Sequence, residues 1–341
     1  MIRNKKGIVE VQFNWIFVLV VGSVILLLFT VIVLKQKTTA ERVADERTLK
    51  DMRAIITSAT VNLGTTNIVD IGDTEINLEC DKIIVGDQQT VFQDMILFSP
   101  GKIKGKEFIT QTLPFNIPFR AANIIIGSSD EVRYVIQDDG STLFNDIKDR
   151  ISNKFNVIYT LSPGGVSDET NYKVRFVYFN SLGPDPTNFA NREDDSVTAV
   201  VIDTSSGNLN YYKKIGSVWD PSLTDTLEGI KAGTKFNIHL LIAAIFLDDK
   251  NDIEEKNECI MSSLIKRVKK VAEVYKDRND RLIPIKPCIV GIDEIRDNAD
   301  PELNRFIIAN DISSLNTAYS DYINIENLNR DLTANTCTTI Y

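Results

Sequence analysis

The stretch IVEVQFNWIFVLVVGSVILLLFTVIVL, from Ile8 to Leu34, decides how the rest of the chain is arranged. It is broken only by Glu10, Gln12, Asn14, Gly22, Ser23 and Thr30. From Ile16 onward it is almost wholly Val, Ile, Leu and Phe, and its length is near the ~20 residues that cross a ~30 Å hydrocarbon layer. Inside lipid a backbone must satisfy its own hydrogen bonds, so residues 8–34 predict a transmembrane helix. A cleavable secretory peptide has a shorter apolar core with a small-residue site behind it. Here Lys35-Gln36-Lys37 ends the run, and retention is predicted.

Working outward, residues 35–59 contain neither proline nor glycine and set Val43, Leu49, Met52, Ile55 and Ile56 among charged neighbours. That spacing predicts an amphipathic continuation of the same helix, ending before Gly64. Counted from Ile8, the rod is about 50 residues and, at ~1.5 Å each, roughly 75 Å long. One stripe of its second half is expected to dock on a globular head. On the other side, residues 1–7 form a basic leader, Arg3-Asn4-Lys5-Lys6-Gly7.

The net charge of −9 over 341 residues argues against nucleic acid as a partner, because phosphate neutralisation needs clustered Lys and Arg. Membrane lipid is the partner that the apolar stretch itself implies. The four cysteines, Cys80, Cys259, Cys288 and Cys337, include no Cys-x-x-Cys pair, which excludes a zinc knuckle or a thioredoxin-type site. Behind a membrane segment they suit two disulfides in an oxidising compartment. Four cysteines allow three connectivities and the sequence does not choose among them; the pairing taken as the expectation is Cys259–Cys288 with Cys80–Cys337. Lys and Arg counts on the two sides of the apolar run are nearly balanced (Arg3, Lys5 and Lys6 against Lys35, Lys37, Arg42 and Arg47). The leader and the even cysteine count favour a head outside the cell, although no Asn-x-Ser/Thr sequon occurs.

The glycine-ended basic leader followed by an apolar helix resembles the type IV pilins and their archaeal relatives. The matching residues are Lys5-Lys6-Gly7, with Ile8-Val9-Glu10-Val11-Gln12-Phe13 opening the mature chain. The resemblance covers about the first 50 residues. It implies a prepilin-type peptidase cutting between Gly7 and Ile8, and assembly with copies of the chain or with other pilin-like subunits. The family places glutamate at the fifth mature position, where it pairs with a neighbouring subunit's amine. This sequence has Gln12 there, Glu10 two places earlier and Asn14 two places later. More broadly the chain is similar to a set of large archaeal membrane proteins of unknown activity. That likeness rests on Gln12-Phe13-Asn14-Trp15, Phe98-Ser99-Pro100, Val132-Arg133-Tyr134 and the ending Cys337-x-x-Ile340-Tyr341.

The fold class expected is α+β: the long helix, a β-rich to mixed α/β head region over 60–216, and a helical region over 217–341. Short apolar runs at 67–71, 82–85, 91–98, 107–112 and 123–126, with turn signals between them, predict strands. The segment 101–106 has a superficial likeness to a phosphate loop, but its glycine spacing is wrong and it leads into a strand-like stretch. From residue 131 the rhythm becomes strand 132–136, helix 141–151 capped by Ser141 or Thr142, then strands at 155–161, 173–179 and 197–203. Asp138-Asp139 reads as a polar turn with helix-dipole partners, and Asp203-Thr204-Ser205-Ser206-Gly207 as a β-hairpin tip.

In the last third, 236–247 predicts a buried helix too short to span a bilayer, with His239 as a core or interface residue. Asp252 is expected to cap a long helix whose face carries Ile260, Leu264, Val268, Val271 and Tyr275. A single closing helix is expected over 301–331. No Gly-x-Ser-x-Gly, His-Glu-x-x-His or dinucleotide glycine pattern occurs, so the sequence predicts no catalytic residue, no metal and no cofactor. The function expected is a membrane-anchored cell-surface or type IV pilus-related structural subunit acting by assembly or adhesion, the alternative being a single-pass membrane-anchored binding or scaffold protein of unknown ligand.

Overall fold

A computed structural model describes residues 6–72, 74–92, 94–168, 173–220, 225–227, 231–232, 235–247, 250–282, 298–320, 322–335 and 337–341. Helix α1 (Lys6–Ala59) is one uninterrupted rod of 54 residues. Among its described side chains it does not enter the head before Asp45. From Trp15 to Ala44 every residue except the half-buried Gly22 is exposed. Burial begins at Asp45 and becomes complete at Leu49, Met52, Ile56 and Ala59, which recur at three- and four-residue intervals on one face. The docked stripe is therefore shorter than the sequence suggests: Val43 is 61% exposed. The ten residues 35–44 form a bare helical stalk about 15 Å long. Continuity with helix on both sides removes the nucleation cost that would make so short an exposed helix marginal.

The docked end of α1 is clasped between two sheets. In the first, β1 (Thr66–Asp70), β7 (Glu107–Ile117), β8 (Phe119–Ser129) and β5 (Leu97–Phe98) lie in the order β1-β7-β8-β5. In the second the order is β4-β3-β2-β6, with β2 (Ile76–Leu78), β3 (Lys82–Val85), β4 (Gln88–Val91) and β6 (Lys102–Ile103). Leu49, Met52, Ile56 and Ala59 share one core with Val69, Ile76, Ile83, Val85, Phe108 and Ile125 of these strands. At the β3–β4 turn, Gly86 has φ +54°, and a side chain there would also run into the Asp45 carboxylate of α1. Only glycine satisfies both the left-handed backbone and the close approach.

The third sheet is mixed and runs β10-β9-β11-β12-β13-β14, with β15 (Asp225–Leu227) pairing with β13. Its strands are β9 (Val132–Gln137), β10 (Asn156–Thr160), β11 (Lys173–Phe179), β12 (Val197–Ile202), β13 (Leu209–Ile215) and β14 (Val218–Trp219). The pairs β10–β9, β9–β11 and β11–β12 are parallel and the pairs of β13 antiparallel. A small antiparallel pair, β16 (Lys231–Ala232) and β17 (Lys235–Phe236), follows. These strands over 218–236 correct the expectation that the helical region begins at 217; it begins with α3 (Ile238–Ile245).

Helix α3 is sandwiched inside the main core, which joins the face of β7 and β8 (Leu113, Phe115, Phe119) to that of β9, β11 and β13 (Tyr134, Val177, Tyr211). Leu240 to Ile245 are all buried. A buried helix must find partners for its end groups within the protein. Asn237 accepts from the Leu240 N–H, while the Tyr211 hydroxyl donates to the Ala244 carbonyl (2.8 Å) and the Arg175 guanidinium to that of Ile245 (3.2 Å). The cation also stands where the helix dipole is negative.

Helix α4 (Lys250–Leu282) buries Ile260, Leu264 and Val268 as the periodicity predicts, but Asp252 lies inside it, not at its cap. The closing helix is three: α5 (Ala299–Ile308), α6 (Ile312–Ser320) and α7 (Tyr322–Ala334). Asp311 and Ser314 explain the first break. The Ser314 N–H donates to the Asp311 carboxylate (2.7 Å) and the Asp311 N–H to the Ser314 hydroxyl (3.1 Å), a reciprocal cap that starts a new helix. The expected strand at 91–98 also divides, Val91 ending β4 and Leu97–Phe98 forming β5.

Candidate functional site

The element with the strongest functional chemistry is the exposed half of α1. Trp15 is 73% exposed, Leu26 69% and Phe29 62%, in the most apolar stretch of the described chain (mean hydropathy 3.2). None of that stretch is buried in the protein. A core helix of a water-soluble fold would hide such a surface, since each fully buried Val, Leu or Phe gains ~1.5–3 kcal/mol. By length and composition α1 could cross a membrane. The two hydroxyls of its apolar stretch are already suited to an apolar surround: Ser23 donates to the Leu19 carbonyl and Thr30 to that of Leu26 (2.8 Å).

Of the processing residues, Lys6, Gly7 and Ile8 stand in the first turns of α1, and Lys5 lies outside the described residues. Glu10 and Asn14 are one turn apart on the same helix face, with Gln12 on the opposite side by position.

Disulfides are present, but the expected pairing is overturned. Cys80, in the turn between β2 and β3, is bonded to Cys259 on α4, with Cα atoms 6.0 Å apart and 179 residues between them. Cys337 is also disulfide-bonded, so neither Cys259–Cys288 nor Cys80–Cys337 holds; Cys288 lies outside the described residues. Helix length gives the reason. Cys259 stands about 35 Å before the end of α4. The six residues from Leu282 to Cys288 span at most ~20 Å even fully extended.

A second polar locus lies at the carboxyl edge of the third sheet. Strand β9 crosses through α2 (Thr142–Arg150) to β10 on one side, while β11 proceeds to β12 on the other. Such a reversal is where open α/β sheets commonly hold ligands. Here the polar groups are engaged with their own turns. Asp138 accepts from the Gly140 N–H (3.1 Å), Asp139 from the Ser141 N–H (3.0 Å), and Ser141 caps α2 through the Phe144 N–H. The Asp203 carboxylate accepts from the Ser205 amide (2.8 Å), the Ser205 hydroxyl (2.6 Å) and, on its other oxygen, the Ser206 hydroxyl (2.6 Å). Those hydroxyls hold its pKa far below the usual carboxylate range. Asp203–Gly207 is the hairpin tip between β12 and β13 that the sequence predicts. Among the described residues no three His, Cys, Asp or Glu side chains are grouped to hold a metal ion.

His239 is half-buried on α3. Burial first, then the Arg150 charge, lowers its pKa, against the raising effect of its hydrogen bond to the Pro114 backbone. Sequence reading missed Trp219, which organises the 181–196 segment. Its indole N–H donates to the Pro184 carbonyl (3.0 Å) and its amide to the Asp185 carboxylate (3.1 Å). Its ring packs edge-on against Phe176. A tryptophan just after a two-residue turn was the available signal.

No protein-family model, curated protein or solved structure matches this chain.

Proposed function

We propose that this chain is a single-pass membrane-anchored surface protein of the type IV pilin-like kind, working through assembly or adhesion without catalysis. The observation that carries the reading is the separation within α1: an apolar stretch from Trp15 that the head leaves unburied, a bare stalk, then a docked end. Such a helix fixes a head at a set height above a bilayer and leaves its sides open to copies of itself or to other pilin-like subunits. The Cys80–Cys259 bond supports a head in an oxidising compartment, outside the cell. The leader Lys5-Lys6-Gly7 supports a prepilin-type peptidase as a processing partner.

A single-pass scaffold of unprocessed N-terminus is the second reading, favoured by Gln12 where the pilin-like family has glutamate. Mass spectrometry of the protein purified from its native membrane separates the two. A mature chain beginning at Ile8, with filaments in electron micrographs of the detergent extract, supports the first. An intact leader and dispersed particles overturn it in favour of the second.

A further inference from the structure

The chain just past the end of α1, strand β8 and helix α4 line a cleft of about 500 Å³ on the head. Along α4, Arg267, Lys270, Val271 and Val274 recur at three- and four-residue steps, so one stripe of that helix borders the cleft. The stripe is cationic at one end and apolar at the other. Strand β8 adds Arg120, and Ile96 and Val61 extend the apolar part. Val61 and Val274 are both largely exposed.

Three cations thus share the cleft with one carboxylate, that of Asp94, in a chain whose net charge is −9. Their donors are mostly unspent. Arg120 uses one nitrogen: Nη2 donates to the Asn123 side-chain carbonyl (2.7 Å) and to the Val61 backbone carbonyl (3.4 Å). Its Nε and Nη1 carry further donors. Among the described residues nothing accepts from the Arg267 guanidinium. Lys270 approaches Asp94 at 3.5 Å, long beside the ~2.7–2.9 Å of a firm charge-assisted bond. Carbonyls at a helix end oppose an anion, but here they are occupied. The buried Asn123 amide donates to the carbonyls of Ala59 (3.0 Å) and Asn62 (2.9 Å). The same side chain holds Arg120 in place before any ligand arrives.

We propose that this cleft binds a small organic anion, a carboxylate or phosphate carried on an apolar group. Arg267 and Arg120 grip the anionic end and draw Lys270 from Asp94, while the apolar end lies against Val61, Val271 and Val274. Such a division, an apolar lining with a few convergent polar groups, is that of small-molecule sites in general. Lipid of the proposed bilayer does not reach it, because the cleft stands ~38 Å along α1 beyond Leu34. The site needs neither membrane nor assembly, so it stands or falls apart from the function proposed above.

The test uses the full chain in lipid nanodiscs, titrated by calorimetry with phenyl phosphate, phenylacetate and inorganic phosphate, empty nanodiscs serving as the blank. The two organic anions are expected to bind, inorganic phosphate about tenfold more weakly for want of an apolar group, and neutral phenylacetamide not at all. Arg267→Gln alters an exposed side chain outside the core and should weaken both organic probes about tenfold, as loss of a charge-assisted hydrogen bond does. Asp94→Asn keeps a residue type that tolerates the left-handed backbone there (φ +53°) and removes the competing carboxylate. It should tighten both probes about threefold, a gain that a merely loosened fold would not produce. Organic probes that fail to bind, that ignore both substitutions, or that bind no better than inorganic phosphate overturn the proposal. So does a heat signal that follows protein concentration and not probe, the mark of a second copy in the cleft.

Discussion

Asp203 and Lys214 show how single residues hold the loops of the third sheet. Because serine hydroxyls depress the Asp203 pKa in the folded state, its contribution is fully present above the unfolded value of about 4 and is lost as pH falls through the folded one. Carboxyl-carbon NMR should place its titration below the ordinary range, and Ser206→Ala should move the midpoint upward. An unchanged midpoint would mean that the turn does not engage the carboxylate. Lys214 has a fully buried side chain whose ammonium donates to the Asp194 carboxylate (2.7 Å) and to the carbonyls of Arg192 (2.8 Å) and Gly216 (2.9 Å). Removing one partner of a wholly buried ion pair costs ~3–5 kcal/mol. Asp194 is 52% exposed and water can rehydrate it, so the loss is that of the two carbonyls. Lys214→Met should therefore destabilise by about 1–3 kcal/mol, read as a lowered unfolding midpoint in detergent.

At the scale of elements, what was legible followed from local rules and what was not depended on distant partners. The apolar and amphipathic halves of α1, the buried α3 and the Ser141 cap of α2 are written in contiguous residues. The closing helices were misjudged because apolar spacing continues across Asp311, while the cap that interrupts it needs only two polar side chains. The order of the seven-stranded sheet, the clasp of Gly86 on α1 and the Trp219 anchor bring together residues far apart in the chain, and nothing in any one segment announces them. The disulfide belongs to this class, although the length of α4 already ruled out the shorter span. Non-reducing peptide mapping should recover Cys80 joined to Cys259. Replacing both by serine should cost about 2–5 kcal/mol of head stability, because that bond closes a long loop. The membrane association proposed for α1 should be unaffected. A Cys259–Cys288 peptide would contradict the packing of α4 against β8.

For the whole molecule, the proposed function has the two ends of α1 answering to different solvents, and truncation tests that. The head is layered: α1 and the second sheet, then the first sheet, then α3 and the other helices, then the third sheet with its capping loops. From Trp15 to Ala44 no residue contributes to any layer, whereas Leu49, Met52, Ile56 and Ala59 complete the first. A chain beginning at Lys35 should leave the membrane fraction without detergent and keep the circular dichroism and unfolding temperature of the full head. One beginning at Thr60 removes three large side chains and an alanine from a closed core. At ~1.5–3 kcal/mol for each large one, the loss is about 5–9 kcal/mol, comparable with the ~5–15 kcal/mol that holds a domain together. It also bares an apolar trough made by Val69, Ile83, Phe108 and Ile125, so this shorter chain should aggregate or unfold at room temperature. If both truncated chains behave alike in gel filtration and thermal melts, the last turns of α1 are not part of the head, and the helix cannot transmit the head's position to a bilayer.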